Sequence, residues 1–287
     1  MRTTQLGPTG MEITRVGFGA WALGGGGFEW SWGSQEDEDS IAAIRAIAGL
    51  DERPYVFTKG GQPPGPNGTT LHSLQRDSLR RELEGSLTRL GLDAVDLYQI
   101  HWPVPDKEIE AGWAALVEFR DEGLTRHIGV SNFDVDQLSR AQRIAPVDTL
   151  QPPYSLIDRE VEAEILPFAE REGIGVIAYS PMSSGLLTGS MTRERIEALP
   201  DDDWRKRDPR FRDPELARHL ELVERLRSVA ERHGTTPGAV AAAWTLRHPA
   251  VDAAIVGFRR PDQVDPIVVA ANLEFGEDEV AAIEGSA

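Results

Sequence analysis

The chain of 287 residues contains no cysteine. Disulfides, thiolate nucleophiles and zinc–thiolate sites are therefore excluded. Lysine is scarce, with Lys59, Lys107 and Lys206 the only three among 30 Lys and Arg residues. Positive charge does not prevail either, the formal net charge being −17. That balance argues against a nucleic-acid phosphate surface and against an anionic membrane, and favours simple solubility. No apolar stretch is long enough for a signal peptide or a membrane span, so a cytoplasmic protein is expected. No GxGxxG follows the first predicted strand, no Walker A sequence occurs, and no HExxH or paired-histidine set points to a metal.

What is present is a repeating strand-then-helix pattern. Seven apolar strand-like runs lead into helical patterns, at residues 16–20, 55–59, 95–101, 127–133, 150–155, 175–181 and 253–258. Helices are predicted near residues 35–48, 74–90, 109–122, 135–142, 160–172, 214–233 and 237–247, with Ser34 as a cap and Ile41, Ile44 and Ile47 as the apolar stripe of the first. Regular alternation predicts one α/β domain over 1–287, a TIM (β/α)8-type barrel that is one βα unit short. The shortfall lies between Ile41 and Tyr55, where a single helix links two strands. Before the first barrel strand, residues 3–6 and 12–16 alternate around Gly7-Pro8-Thr9-Gly10, which predicts a hairpin able to plug the barrel floor. The loop with glycines 24–27, Trp30 and Trp32 either lines a substrate mouth or covers the barrel top.

In such a barrel, chemistry is sited at the C-terminal ends of the strands. Those ends read Gly19-Ala20-Trp21, Thr58-Lys59, Gln99-Ile100-His101-Trp102, Val130-Ser131-Asn132-Phe133, Gln151, Tyr179-Ser180-Pro181 and Gly257-Phe258-Arg259-Arg260. Several polar strand ends in succession point to a ligand pocket. A lysine ending a buried strand is costly to desolvate, so either its stem reaches solvent or it has a task there. With Lys59 nearby, His101 is better explained as a donor to a substrate oxygen than as a core histidine. Asn132 and Gln151 either satisfy loop backbone or grip a carboxamide. The run from Gly257 to Gln263 enters a helix start, where backbone N–H groups and two arginines favour a phosphate.

Taken together these segments resemble the aldo-keto reductase family, in its bacterial members with a short N-terminal hairpin. The likeness rests on Gln5-Leu6-Gly7-Pro8-Thr9-Gly10-Met11-Glu12, Gly17-Phe18-Gly19-Ala20-Trp21, Phe57-Thr58-Lys59, Asp96-Leu97-Tyr98-Gln99-Ile100-His101-Trp102, Gly129-Val130-Ser131-Asn132-Phe133, Gln151-Pro152-Pro153-Tyr154-Ser155, Tyr179-Ser180-Pro181-Met182, Gly185-Leu186-Leu187-Thr188-Gly189 and Val256-Gly257-Phe258-Arg259-Arg260. It implies NADPH-dependent reduction of an aldehyde or ketone, with a small carbonyl compound as partner. It assigns Lys59 and His101 to catalysis. It assigns Gly19, Trp21, Ser131, Asn132, Gln151, Tyr179, Ser180, Pro181, Met182, Ser184, Gly185, Leu187, Gly257, Arg259, Arg260 and Gln263 to the cofactor. Trp21, Trp30, Trp32 and Trp102 suggest an apolar or aromatic substrate pocket. After Gln263, Pro266 and Ile267 depart from the family pattern, which puts adenine contacts there in doubt.

The resemblance also gives the missing unit a content. The family's second strand carries the catalytic aspartate and tyrosine, and nothing similar occurs between Ile41 and Tyr55. About 25–30 residues, one βα unit, are absent there. The expected consequences are open sheet edges that invite a second chain, a Lys59 without its carboxylate, and no tyrosine beside the hydride. An NADP(H)-binding pseudoenzyme or sensor without turnover therefore stands as the alternative to a reductase.

Overall fold

The computed structural model describes residues 1–24, 30–47 and 53–285. Glycines 25–27 and the junction at 48–52 lie outside the described residues.

A short antiparallel hairpin, β1 (Thr3–Gln5) and β2 (Glu12–Thr14), precedes a curled, wholly parallel sheet. Its seven strands are β3 (Val16–Phe18), β4 (Phe57–Gly60), β5 (Val95–Ile100), β6 (Thr125–Ser131), β7 (Thr149–Gln151), β8 (Gly175–Tyr179) and β9 (Ala253–Val256). Each falls on one of the seven predicted runs. Their order is β3-β9-β8-β7-β6-β5-β4, so β3 and β4 are the two edges. These are the strands that flank the predicted gap, and among the described residues no strand joins them.

The helices are α1 (Asp37–Ile47), α2 (Arg76–Leu90), α3 (Ile109–Asp121), α4 (Val135–Gln142), α5 (Ile165–Glu172), α6 (Arg193–Glu197), α7 (Glu215–Arg232), α8 (Pro237–Thr245), α9 (Asp265–Val268) and α10 (Glu277–Glu284). Two boundaries differ from expectation. The helix predicted from residue 160 starts at Ile165, because Pro167 is tolerated only in a first turn, where its missing N–H has no intrahelical role. The first helix starts at Asp37 with three acidic residues in its first turn, and Ser34 instead offers its carbonyl to Arg259. The expected apolar stripe of α1 also fails to bury. Ile41 and Ile44 remain 47% and 43% exposed, while Ala43 is buried.

The barrel interior is built in two layers by the strand alternation. In the lower one, Leu97, Ile177, Ala253, Phe57 and Ile255 pack against Leu6, Met11 and Ile13 of the hairpin, which closes the floor as predicted. Gly7 is obligatory there: it has φ +43°, and a Cβ on it would lie 2.4 Å from the Gly175 nitrogen. Asp252 accepts the backbone N–H groups of Gly7 and Val176 at 3.2 and 3.0 Å, tying the hairpin to the sheet. The upper layer is polar and faces the C-terminal ends of the strands.

Candidate active site

Residue pairing across the sheet sets this polar layer. Lys59 on β4 lies opposite Gln99 on β5, and Ser131 on β6 opposite Gln151 on β7. Gln151 Nε2 donates to Gln99 Oε1 at 3.1 Å, and Gln99 Nε2 donates to Thr149 Oγ1 at 3.2 Å. Both glutamines are buried, so this network holds them in fixed rotamers. Ser131 Oγ donates to the Gln151 carbonyl at 2.7 Å. Asn132, in left-handed backbone conformation (φ 64°), donates from Nδ2 to the His101 carbonyl and to Ser131 Oγ, each at 3.0 Å. Its Oδ1 accepts the Tyr179 hydroxyl at 2.9 Å. Burial pushes that hydroxyl up to about 12.

Lys59 lines a cavity of about 400 Å³ shared with Gln62, Pro63, Pro64 and side chains of α2, including Glu82, Arg81 and Arg89. No hydrogen bond or ion pair engages its amine among the described residues. Burial alone lowers its pKa to about 8. His101 extends β5, its N–H donating to the Gly60 carbonyl at 2.9 Å. Burial, then the charges of Lys59 and His72, lower its imidazole to about 3, so it is neutral at physiological pH. Its ring stacks beside Trp102 with centroids 6.4 Å apart.

After Tyr179 the chain turns through Ser180, Ser183, Ser184 and Gly185 at φ 56°, 43°, 54° and 96°. Serine adopts this region reluctantly. Within this turn the N–H groups of Ser183 and Gly185 donate to the carbonyls of Ser180 and Met182 at 2.8 and 3.1 Å, which holds the left-handed residues in place. Arg205 Nη1 reaches the Ser184 carbonyl at 3.5 Å, and Ser183 and Ser184 are buried.

The two arginines assigned to a phosphate already have protein partners. Arg259 donates to the carbonyls of Trp32 and Ser34 and to Gln35 Oε1. Burial, then Arg205, lower its pKa. Arg260 clasps Asp262 through two bonds of 3.0 and 3.1 Å. Gln263 Oε1 accepts the backbone N–H groups of both arginines. These partners are far away in sequence or local to a turn, which is why the motif alone did not expose them.

The tryptophans divide. Trp21 stacks on Trp204 at 5.7 Å, Trp32 meets Trp204 edge-on at 5.8 Å, and Trp30 lies 6.4 Å from it. Arg205 sits 4.5 Å over the Trp32 ring and is paired with the fully buried Asp203. Three of the four predicted pocket tryptophans thus clasp the 203–211 segment, and only Trp102 stands beside His101. No sequence motif singles out Trp204, Arg205 and Asp203.

All four tyrosines are accounted for. Tyr98 is buried with its hydroxyl on the Leu79 carbonyl at 2.9 Å, and Tyr154 donates to Glu162 at 2.6 Å. Tyr179 is bound to Asn132, and Tyr55 is exposed ahead of β4, at the opposite end of the strand from Lys59. None accompanies the Lys59 amine.

Among the described residues, no group of three or more acidic, histidine or cysteine side chains is arranged to hold a metal, and no helix is long and apolar enough to cross a membrane. A second cavity, about 540 Å³, lies at the other end of the strands among Thr3, Glu12, Arg53, Tyr55, Asp96 and Arg126, away from the polar layer.

A parallel barrel-like sheet with a polar row at its strand ends is the architecture of a barrel enzyme, whose ligand site lies at that face. The chain belongs to the aldo/keto reductase family, whose sequence profile matches residues 43–287. Members of that family reduce carbonyl groups with a nicotinamide cofactor. An aldo-keto reductase of Bacillus subtilis is 34% identical, the match covering 93% of this chain and 88% of the relative. An NADH-specific methylglyoxal reductase of Escherichia coli is 28% identical, covering 96% and 95%. That alignment runs over 320 residues against 287 here, so it includes residues without a counterpart in this chain. The structure of a glycerol dehydrogenase from Gluconobacter oxydans is similar with a TM-score of 0.86 at 30% identity, covering 99% of this chain and 94% of that one.

Proposed function

We propose that this chain reduces an aldehyde or ketone to an alcohol with NADPH, using the polar row from Lys59 to Tyr179 as its site. The observation that carries this reading is the linked set Gln151, Ser131, Asn132 and Tyr179 beside Lys59 and His101. A nicotinamide carboxamide fits it. Gln151 Oε1 has no hydrogen bond among the described residues, and Asn132 Oδ1 keeps a free lone pair, so two acceptors face a group that carries two donors. Tyr179 presents a ring held by its hydroxyl, and the turn that follows is the segment we assign to the pyrophosphate by the family resemblance. When bound, the nicotinamide supplies the hydride.

The chain's own residues supply position and the proton. In the family a tyrosine is the donor, yet the tyrosines here are held elsewhere. Lys59 takes that place in our reading. Below pH 8 its amine is an ammonium, poorly solvated and able to transfer a proton to the developing alkoxide. The neutral His101 imidazole donates one N–H to the substrate oxygen and fixes it over the site without adding charge. Arg260 is the closer match for a 2′-phosphate, since it can exchange Asp262 for the ligand at an exposed position, whereas Arg259 is enclosed.

The same tyrosine inventory favours a second reading, nucleotide binding without turnover. An NADPH-oxidation assay with methylglyoxal and a panel of aromatic aldehydes, run alongside NADPH titration, separates the two. Oxidation that is lost in Lys59→Met supports the reductase. Saturable binding with no oxidation supports the alternative.

A further inference from the structure

We propose that the Lys59 amine is also a covalent carbonyl nucleophile, forming a reversible imine with small aldehydes and ketones. This chemistry is independent of hydride transfer and needs no nucleotide. Lys59 has the required setting. It ends β4, an edge strand, and lines a cavity of about 400 Å³, room for a small carbonyl compound. Among the described residues no carboxylate pairs with it to hold the charged form. Its neighbours around that cavity and strand end are Glu82, Arg81 and Arg89 of α2, His101 of β5 and His72 of the preceding loop.

Glu82 is committed to the loop after β4, accepting the N–H groups of Gly61 and Gln62 at 3.1 Å each. Burial alone brings the lysine to about 8. A desolvated lysine free of a counter-ion is the usual route to an amine nucleophile.

The step balances without an added reagent. The amine lone pair attacks the carbonyl carbon and forms the C–N bond. One proton leaves nitrogen and one arrives on oxygen, giving a carbinolamine. The C–O bond then breaks, its electron pair leaves with oxygen as water, and a C=N bond remains. The neutral imidazole of His101 is suited to relay these protons, since it has one donor and one acceptor nitrogen. Hydrolysis reverses the sequence.

The scarcity of lysine makes the test clean. The intact chain is incubated with butanal and cyanoborohydride at pH 7.5, without nucleotide, and alkylation at each amine is read by peptide mass spectrometry. Lys107 and Lys206 are internal controls, the latter tied to Asp201 at 2.8 Å. At that pH roughly a quarter of an amine of pKa 8 is neutral, against about 0.1% of an ordinary lysine. Lys59 should be alkylated at least about tenfold faster than either control, with a rate that levels off above pH 8. Alkylation of Lys59 no faster than Lys107 overturns the proposal. Because the mapping is done on the unmodified chain, it does not depend on a variant folding. Because it omits NADPH, its failure is separate from failure of the reductase reading.

Discussion

Replacing Asp203 by alanine probes how the tryptophan cluster is held over the proposed cofactor loop. The Asp203 carboxylate is fully buried and takes three bonds from Arg205: the backbone N–H at 3.0 Å, Nε at 3.0 Å and Nη2 at 2.6 Å. Arg205 is only 8% exposed and its guanidinium lies on Trp32. Removing the carboxylate strands a buried cation, a change that costs about 3–5 kcal/mol. Set against a total stability of about 5–15 kcal/mol, the loss is large. Replacing both partners, Asp203→Ala with Arg205→Met, removes the stranded charge and keeps an apolar stem under Trp32. The double variant should recover at least about 2 kcal/mol relative to the sum of the singles. Urea unfolding followed by tryptophan fluorescence reads these values, since Trp32 and Trp204 flank the pair. Arg205 also holds the Ser184 carbonyl, so Asp203→Ala should raise the NADPH KM together with the stability loss. Singles that cost under about 1 kcal/mol, or a double variant equal to their sum, would refute the claim that a buried ion pair organises this region.

Lys59→Met should stabilise the protein at neutral pH by on the order of 1–3 kcal/mol, because burial disfavours the ammonium. The sign follows from the lowered pKa: the unfolded lysine holds its proton up to about 10.4, so the wild type gains stability between pH 8 and that value, and the advantage of the variant should vanish across this window in thermal melts. His101 should show no imidazole titration between pH 5 and 8 by NMR, with its proton taken up near 3, and a transition near 6.5 would mean that it is solvated. Arg260→Ala should raise the KM for NADPH about tenfold and leave that for NADH unchanged, as expected of a charge-assisted contact to a 2′-phosphate.

The sheet was legible because each strand is a short apolar run feeding a helix, and each strand end was legible because polar residues there interrupt that pattern. Lys59, His101, Asn132 and Gln151 could be listed as one constellation from position alone; the register pairs Lys59 with Gln99 and Ser131 with Gln151, and Asn132 joins through its bond to the His101 carbonyl. What escaped was long-range pairing. Nothing local to Arg259 shows that Trp32, Ser34 and Gln35 occupy its guanidinium, more than 220 positions away. The Asp203–Arg205 pair and its platform of tryptophans were hidden for the same reason. The periodicity of α1 was read correctly as apolar, but burial needs a neighbour, and Ile41 and Ile44 stay exposed. Periodicity reports what a helix could bury, and the partner decides whether it does.

The central claim is that Lys59 supplies the proton in a carbonyl-reducing site that keeps its cofactor-binding groups. Steady-state NADPH oxidation with methylglyoxal, measured on the wild-type chain from pH 6 to pH 10, tests it most directly. Turnover is expected, with a kcat/KM that falls above about pH 8 as the ammonium is lost. Absence of turnover at every pH, or activity that persists unchanged to pH 10, would contradict it.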